Sequence, residues 1–179
     1  MTAPVLIFAI GNESRGDDAL APILLRGLDA WLQVEGISGC CVLLEEFQLQ
    51  IENTLDMQGR ELVLFIDAGM NTAAPFAFYR AEASATPNLY SHALVPEALL
   101  ALYQQIYHAT APPAFVLCIR GEQFGLGAPV SAEAANRMNT ALLFIQVLLQ
   151  QAELSAWEKQ VRLLLVKTEE WNVPGNRRI

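Results

Sequence analysis

The chain has 179 residues, 53% of them hydrophobic, which is the size of one ordinary domain with enough apolar material for a packed core. Eleven Lys and Arg against nineteen Asp and Glu leave a net charge of −8, and no basic run is present to grip a phosphate backbone, so nucleic acid is not an expected partner. The apolar stretches Val5 to Ile10 and Ala141 to Leu149 are too short for a signal h-region or a membrane span, and the three cysteines, Cys40, Cys41 and Cys118, form no C-x-x-C pair. A soluble protein of the reducing cytoplasm, with no membrane partner, is expected.

Short apolar runs alternate with longer helical patterns. Pro4 to Ile10, Cys40 to Leu44, Glu61 to Ile66 and Ala114 to Ile119 are continuous apolar runs too short for helices, as suits strands buried on both faces. Phe76 to Arg80 is a more aromatic fifth candidate for an edge strand. Helical patterns cover Asp18 to Leu32, Leu49 to Met57, and His92 or Pro96 to Tyr107. A last helix follows Ser131, a good N-cap, with Glu133 in its first turn and Met138, Leu142, Ile145 and Leu149 along one face. The alternation predicts an α/β fold: a three-layer α/β/α arrangement with a mostly parallel sheet of about five strands. Residues 1–155 are expected to form its single domain, and 156–179 a C-terminal extension of uncertain structure, with Val161 to Val166 apolar enough for either strand or helix.

Ligands of such a sheet bind beyond the carboxyl ends of its strands, and here every one of those ends is acidic. Gly11-Asn12-Glu13-Ser14-Arg15-Gly16-Asp17-Asp18 follows the first strand, Glu45-Glu46 the second, Asp67-Ala68-Gly69 the third and Gly121-Glu122 the fifth. The first loop is not a dinucleotide fingerprint, because Glu13 stands where the second glycine of G-x-G-x-x-G belongs and two aspartates would repel a pyrophosphate. Helix capping accounts for one of Asp17 and Asp18, and the second is free to act as a ligand or catalytic group. Asp67 ends the most apolar strand, where an ionised carboxylate needs a partner or a metal, or else caps the next turn. His92 alone reads as a helix-entry residue. Together, two carboxylates and one imidazole from separate strand ends suit one divalent ion, and zinc, nickel, cobalt, iron and manganese all remain open. No G-x-S-x-G elbow is present and Cys118 lies within a buried strand, which disfavours a serine or cysteine nucleophile.

These residues carry a resemblance. Ile10-Gly11-Asn12 through Asp17-Asp18 resembles the G-N-x-x-x-x-D-[DE] opening of the hydrogenase maturation endopeptidases. Val63 to Ala68 is similar to that family's strand ending in D-A, and Leu89-Tyr90-Ser91-His92 stands where the resemblance places its S-x-H segment. Ile119-Arg120-Gly121 through Val130-Ser131 resembles its I-x-G and G-x-x-[LV]-S end. The four segments fall in order over about residues 4 to 150.

The resemblance implies a cytoplasmic protease that removes a C-terminal extension from the large-subunit precursor of a [NiFe] hydrogenase after nickel insertion. Its metal-contacting positions fall on Asp18, Asp67 and His92. A further acidic position, D-G in many relatives, is replaced by Glu45-Glu46; Glu46 completes the candidate catalytic set Asp18, Asp67, His92 and Glu46, although the sequence does not separate the two glutamates. Many relatives follow the acidic pair with G-x-G, where this chain has Ala19-Leu20-Ala21. Because two carboxylates and an imidazole hold nickel weakly beside the thiolates of a hydrogenase precursor, nickel is expected to arrive with the substrate and no tightly stored metal is expected. Two other functions stay open: a non-catalytic, nickel-checking assembly partner, and a small metallohydrolase with another substrate.

Overall fold

The computed structural model describes residues 3–85 and 94–171, with residues 166–171 described as backbone alone. Five strands form one sheet in the order β2-β1-β3-β5-β4. They are β1 (Val5–Ile10), β2 (Cys41–Glu46), β3 (Leu62–Gly69), β4 (Phe76–Ala81) and β5 (Ala114–Arg120). All pairings are parallel except that of β4, which runs antiparallel at the edge beside β5. The helices are α1 (Leu20–Glu35), α2 (Asn53–Asp56), α3 (Pro96–Tyr107), α4 (Ala132–Gln150) and α5 (Leu154–Trp171). The expected three-layer α/β/α architecture is therefore the observed one.

Alternation along each strand splits the core in two. Val5, Ile7 and Ala9 of β1 and Leu62, Leu64 and Ile66 of β3 pack with α1, α4 and Trp157 of α5. Leu6, Phe8, Val63 and Phe65 face the other way, against Met57 and the α3 residues Leu99, Leu100 and Tyr103. Strands covered on both sides need apolar residues at every position, which is why their sequences are continuous rather than alternating.

Four local expectations change. β3 runs on to Gly69, paired with β5 as far as Gly69 against Arg120, so Asp67 lies inside the strand opposite Cys118 rather than after it. Glu45 and Glu46 likewise belong to β2. The helix expected over Leu49 to Met57 shrinks to α2, because Leu49 pairs as an isolated antiparallel bridge with Leu94 and the Gln50 N–H turns back to the Asn53 Oδ1 at 2.8 Å. The helix expected from Asp18 opens instead as a 3₁₀ turn over Gly16–Ala19 before α1.

Residues 154–171 form a helix, and its start belongs to the core. Trp157 is fully buried, sits edge-on to Phe115 at 5.3 Å between ring centroids, and donates its indole N–H to the Leu148 carbonyl at 2.9 Å. Glu158 is bonded to Arg80 of β4. The 155/156 boundary thus falls within α5. No described helix is long and apolar enough to cross a membrane.

Candidate functional site

The crossovers β1-α1-β2 and β2-α2-β3 leave the sheet in opposite directions from β1, so the topological switch point lies between β1 and β3. An open α/β sheet forms its ligand crevice beyond the carboxyl ends of those strands. Asp18 follows β1 and Asp67 lies near the end of β3.

The loop after β1 is built to hold Asp18 in place. The backbone of Gly11 passes so close to Asp18 that a Cβ there would stand 2.0 Å from the Asp18 carbonyl oxygen, so only glycine fits. The Asn12 N–H donates to the Asp18 carboxylate at 3.0 Å, and the Asn12 side chain accepts from the Ser14 N–H at 2.9 Å. Gly16 takes φ +57°, and a Cβ there would meet the Gln123 carbonyl oxygen at 2.5 Å.

Asp17 departs from the expected cap. The residue preceding the 3₁₀ turn is Arg15, and no side chain caps that turn. Asp17 is fully buried and reaches across the sheet end to the segment between β5 and α4. Its Oδ2 accepts from the N–H of Glu122 at 2.7 Å, the N–H of Gln123 at 3.0 Å and the Ser131 hydroxyl at 2.9 Å. Its Oδ1 accepts from the Ser131 N–H at 2.7 Å. Burial alone would raise its pKa, but the bonds from Glu122, Ser131 and Gln123 outweigh it and hold the carboxyl below the usual aspartate range. Gly127 N–H to Ser14 carbonyl, 2.7 Å, and Arg15 Nε to Phe124 carbonyl, 3.3 Å, join the same two loops. Asp17 is a clamp between loops, whereas its neighbour Asp18 is held by the Asn12 N–H and acts by its charge on Asp67.

Asp67 is in the opposite electrostatic condition. Burial, with a smaller contribution from the charge of Asp18, pushes its pKa up to about 6, against a lowering by the 2.7 Å bond from the Ala68 N–H. Neither Asp18 nor Asp67 has an ion-pair partner among the described residues. Asp67, buried beside a second carboxylate, is poised to take up a proton or to face a positive charge.

The sheet separates the two glutamates that the sequence could not. Val42 and Leu44 pack on the α2/α3 side, so Glu46 shares that face with Asp67, and its Oε1 accepts from the Asn53 Nδ2 at 2.8 Å. Glu45 falls on the α1 side and pairs with Arg26 at 3.3 Å, which also holds Glu13 at 2.8 Å. His92 and the neighbouring Ser91 lie outside the described residues. Among the described residues no three His, Cys, Asp or Glu side chains gather to hold a metal ion, so of the expected trio Asp18, Asp67 and His92 the described structure contains the first two. Sequence reading missed Asn53, which holds Glu46 and which no local pattern marks; it found Ser131 as a helix cap but not as the partner of Asp17, which lies more than a hundred residues away.

No family model matches the sequence, and no curated protein matches it. Solved structures do. A hydrogenase maturating endopeptidase from Escherichia coli, HybD, superposes with a TM-score of 0.62 at 16% identity, over 83% of this chain and 93% of that one. This chain has the same fold. A [NiFe] hydrogenase maturation protease, HycI, from Thermococcus kodakarensis matches with a TM-score of 0.62 at 18% identity, over 83% and 93% of the two chains. A hydrogenase 2 maturation peptidase from a Thaumarchaeota archaeon gives 0.56 at 16% identity, over 82% and 97%.

Proposed function

We propose that the protein is an endopeptidase that removes the C-terminal extension of a [NiFe] hydrogenase large-subunit precursor in the cytoplasm once nickel has been inserted. The observation that carries this reading is the Asp18–Asp67 pair: two carboxylates from different strand ends at the switch point, close enough for one charge to act on the other, without a cation among the described residues. A fold shared with maturation endopeptidases supports it.

Nickel belongs to the substrate in this scheme. Held by the precursor's thiolates, it presents a positive centre that Asp18, Asp67 and His92 complete, and a precursor without nickel lacks the ion that joins the two surfaces. Asp67, with a pKa pushed up to about 6, changes protonation near neutral pH and so fits general acid–base work on the scissile amide and its attacking water. Glu46, on the same sheet face and oriented by Asn53, is the second candidate base.

The test is mass spectrometry of the precursor's C-terminus after incubation with the protein, with and without bound nickel. Loss of a discrete C-terminal peptide from the loaded form alone is expected, and His92→Ala and Asp67→Asn should each abolish it. Loaded precursor that binds but keeps its mass would replace the protease with a nickel-checking assembly partner. Stoichiometric metal in the isolated protein, with peptide hydrolysis in the absence of precursor, would point to a metallohydrolase of another substrate.

A further inference from the structure

One cluster at the carboxyl end of the sheet carries more positive than negative charge. Arg120 closes β5, opposite Gly69, and the alternation of the strand sets it on the face that carries Cys118 and, across from Cys118, Asp67. Two residues separate the rows, about 7 Å along the strand. The Arg120 Nη1 donates to the Thr72 carbonyl at 3.1 Å, and the Thr72 side chain bonds the Cys118 thiol, so a continuous chain of contacts leads from Arg120 back to the row of Asp67.

The Glu122 carboxylate is shared by two guanidiniums. Its Oε1 lies 2.5 Å from Arg137 Nη1 and 3.5 Å from Arg120 Nε. Arg137 also donates to the Arg120 carbonyl at 3.1 Å, which fixes the two arginines together. At 3.5 Å the Nε–H of Arg120 is ion-paired but not hydrogen-bonded, and it is the sole buried side-chain nitrogen or oxygen without a hydrogen-bond partner among the described residues. Buried donors are almost always satisfied, and a guanidinium is shaped to take a carboxylate with two parallel N–H groups, which an incoming carboxylate reaches here by taking the place of Glu122. Around this cluster the strand ends are acidic, and Arg26 is already engaged by Glu13 and Glu45.

We propose that Arg120, backed by Arg137, is a subsite for a carboxylate of the polypeptide handled at the Asp18–Asp67 pair. The carboxylate belongs to an acidic side chain or to a chain terminus two or three residues from the reacting bond, since an extended peptide advances about 3.3 Å per residue. Naming the polypeptide as a hydrogenase precursor rests on the proposed function, whereas the anion site stands on the cluster itself.

The experiment follows the arginine Nε–H signals of the full-length protein by ¹H–¹⁵N NMR, assigned with Arg120→Gln. Sodium acetate should shift the Arg120 signal with millimolar affinity, and sodium chloride at equal ionic strength should not. Glu122→Gln removes the competing carboxylate and should tighten acetate binding at least threefold, an effect that a merely disturbed fold does not produce. In processing assays Arg120→Gln should raise KM about tenfold with kcat within twofold. Acidic-to-amide changes in the precursor tail, or amidation of its terminus, should reproduce that rise and so identify which carboxylate binds. An Arg120 signal indifferent to acetate in both the natural protein and Glu122→Gln, or a KM untouched by Arg120→Gln, would overturn the subsite. A precursor left uncut by the natural protein would instead overturn the protease reading, because the acetate measurement requires no cleavage.

Discussion

Asp67→Asn should make the protein more stable at pH 8 while removing its activity. Burial and the nearby Asp18 charge raise the Asp67 pKa from 3.8 to about 6 in the folded protein, so folding disfavours the ionised form. At pH 8 the carboxylate is ionised both folded and unfolded, and the roughly two-unit difference costs the native state about 3 kcal/mol. At pH 4 the folded group is protonated and the cost has largely gone. The contribution of Asp67 to stability is therefore fullest below about pH 4, falls as pH rises towards 6 and stays low above it. Asparagine keeps an Oδ1 for the Ala68 N–H and carries no charge, so it escapes the fall. Urea or thermal unfolding in chelator-treated buffer, from pH 4 to pH 8, should show two curves nearly coincident at the acid end and separated by about 3 kcal/mol at pH 8. In melting temperature that is about 6–12 °C for a chain of this length. A constant gap across the pH range, or an Asn variant less stable at pH 8, would refute the reasoning, because it would mean that the carboxylate is stabilised in the native state.

Asp17→Asn should do the reverse, since an amide cannot accept from every donor that now converges on the carboxylate. Leaving the N–H groups of Glu122, Gln123 and Ser131 poorly satisfied around a buried side chain should cost about 3–5 kcal/mol at pH 7, read by denaturant unfolding, with faster amide exchange at those residues. Because the Asp17 pKa is lowered in the native state, its stabilisation is present above the ordinary aspartate range and is lost as pH falls; the variant's stability curve should be flatter on the acid side. Gly11→Ala places a methyl group 2.0 Å from the Asp18 carbonyl oxygen, so the loop must move; processing should fall at least tenfold while far-UV circular dichroism keeps its native shape. Trp157→Ala opens a cavity beside Phe115 and should cost about 3–5 kcal/mol in urea unfolding; a loss under 1 kcal/mol would show that α5 is dispensable to the core.

Much of the framework is legible locally. Apolar runs longer than a turn and shorter than a helix identify the strands, and the acidic residues clustered at their carboxyl ends mark the end of the sheet where an open α/β fold forms its crevice. Ser131 accepts from the Ala134 N–H as an N-cap should, and the apolar stripe of α4 faces the core, because capping and amphipathicity involve residues only a turn or two apart. The short α2 shows the limit: Leu49 to Met57 has helical spacing, but Leu49 finds a strand-like partner in Leu94, a contact that no local pattern announces.

By itself the sequence determined the α/β alternation and the residue types at the strand ends, since both follow from hydrophobic periodicity within a few residues. Tertiary structure alone decided which partners each acid meets. Asp17 and Asp18 are adjacent and alike, but one meets four donors from a loop more than a hundred residues away and the other accepts from the Asn12 N–H and lies near enough to Asp67 for its charge to act there. Glu45 and Glu46 part company because neighbouring strand residues point to opposite faces, and only the packing of α1 and α2 says which face shares the site with Asp67. Carboxylate chemistry depends on burial and neighbours, and both are supplied by chain that is distant in sequence and close in space.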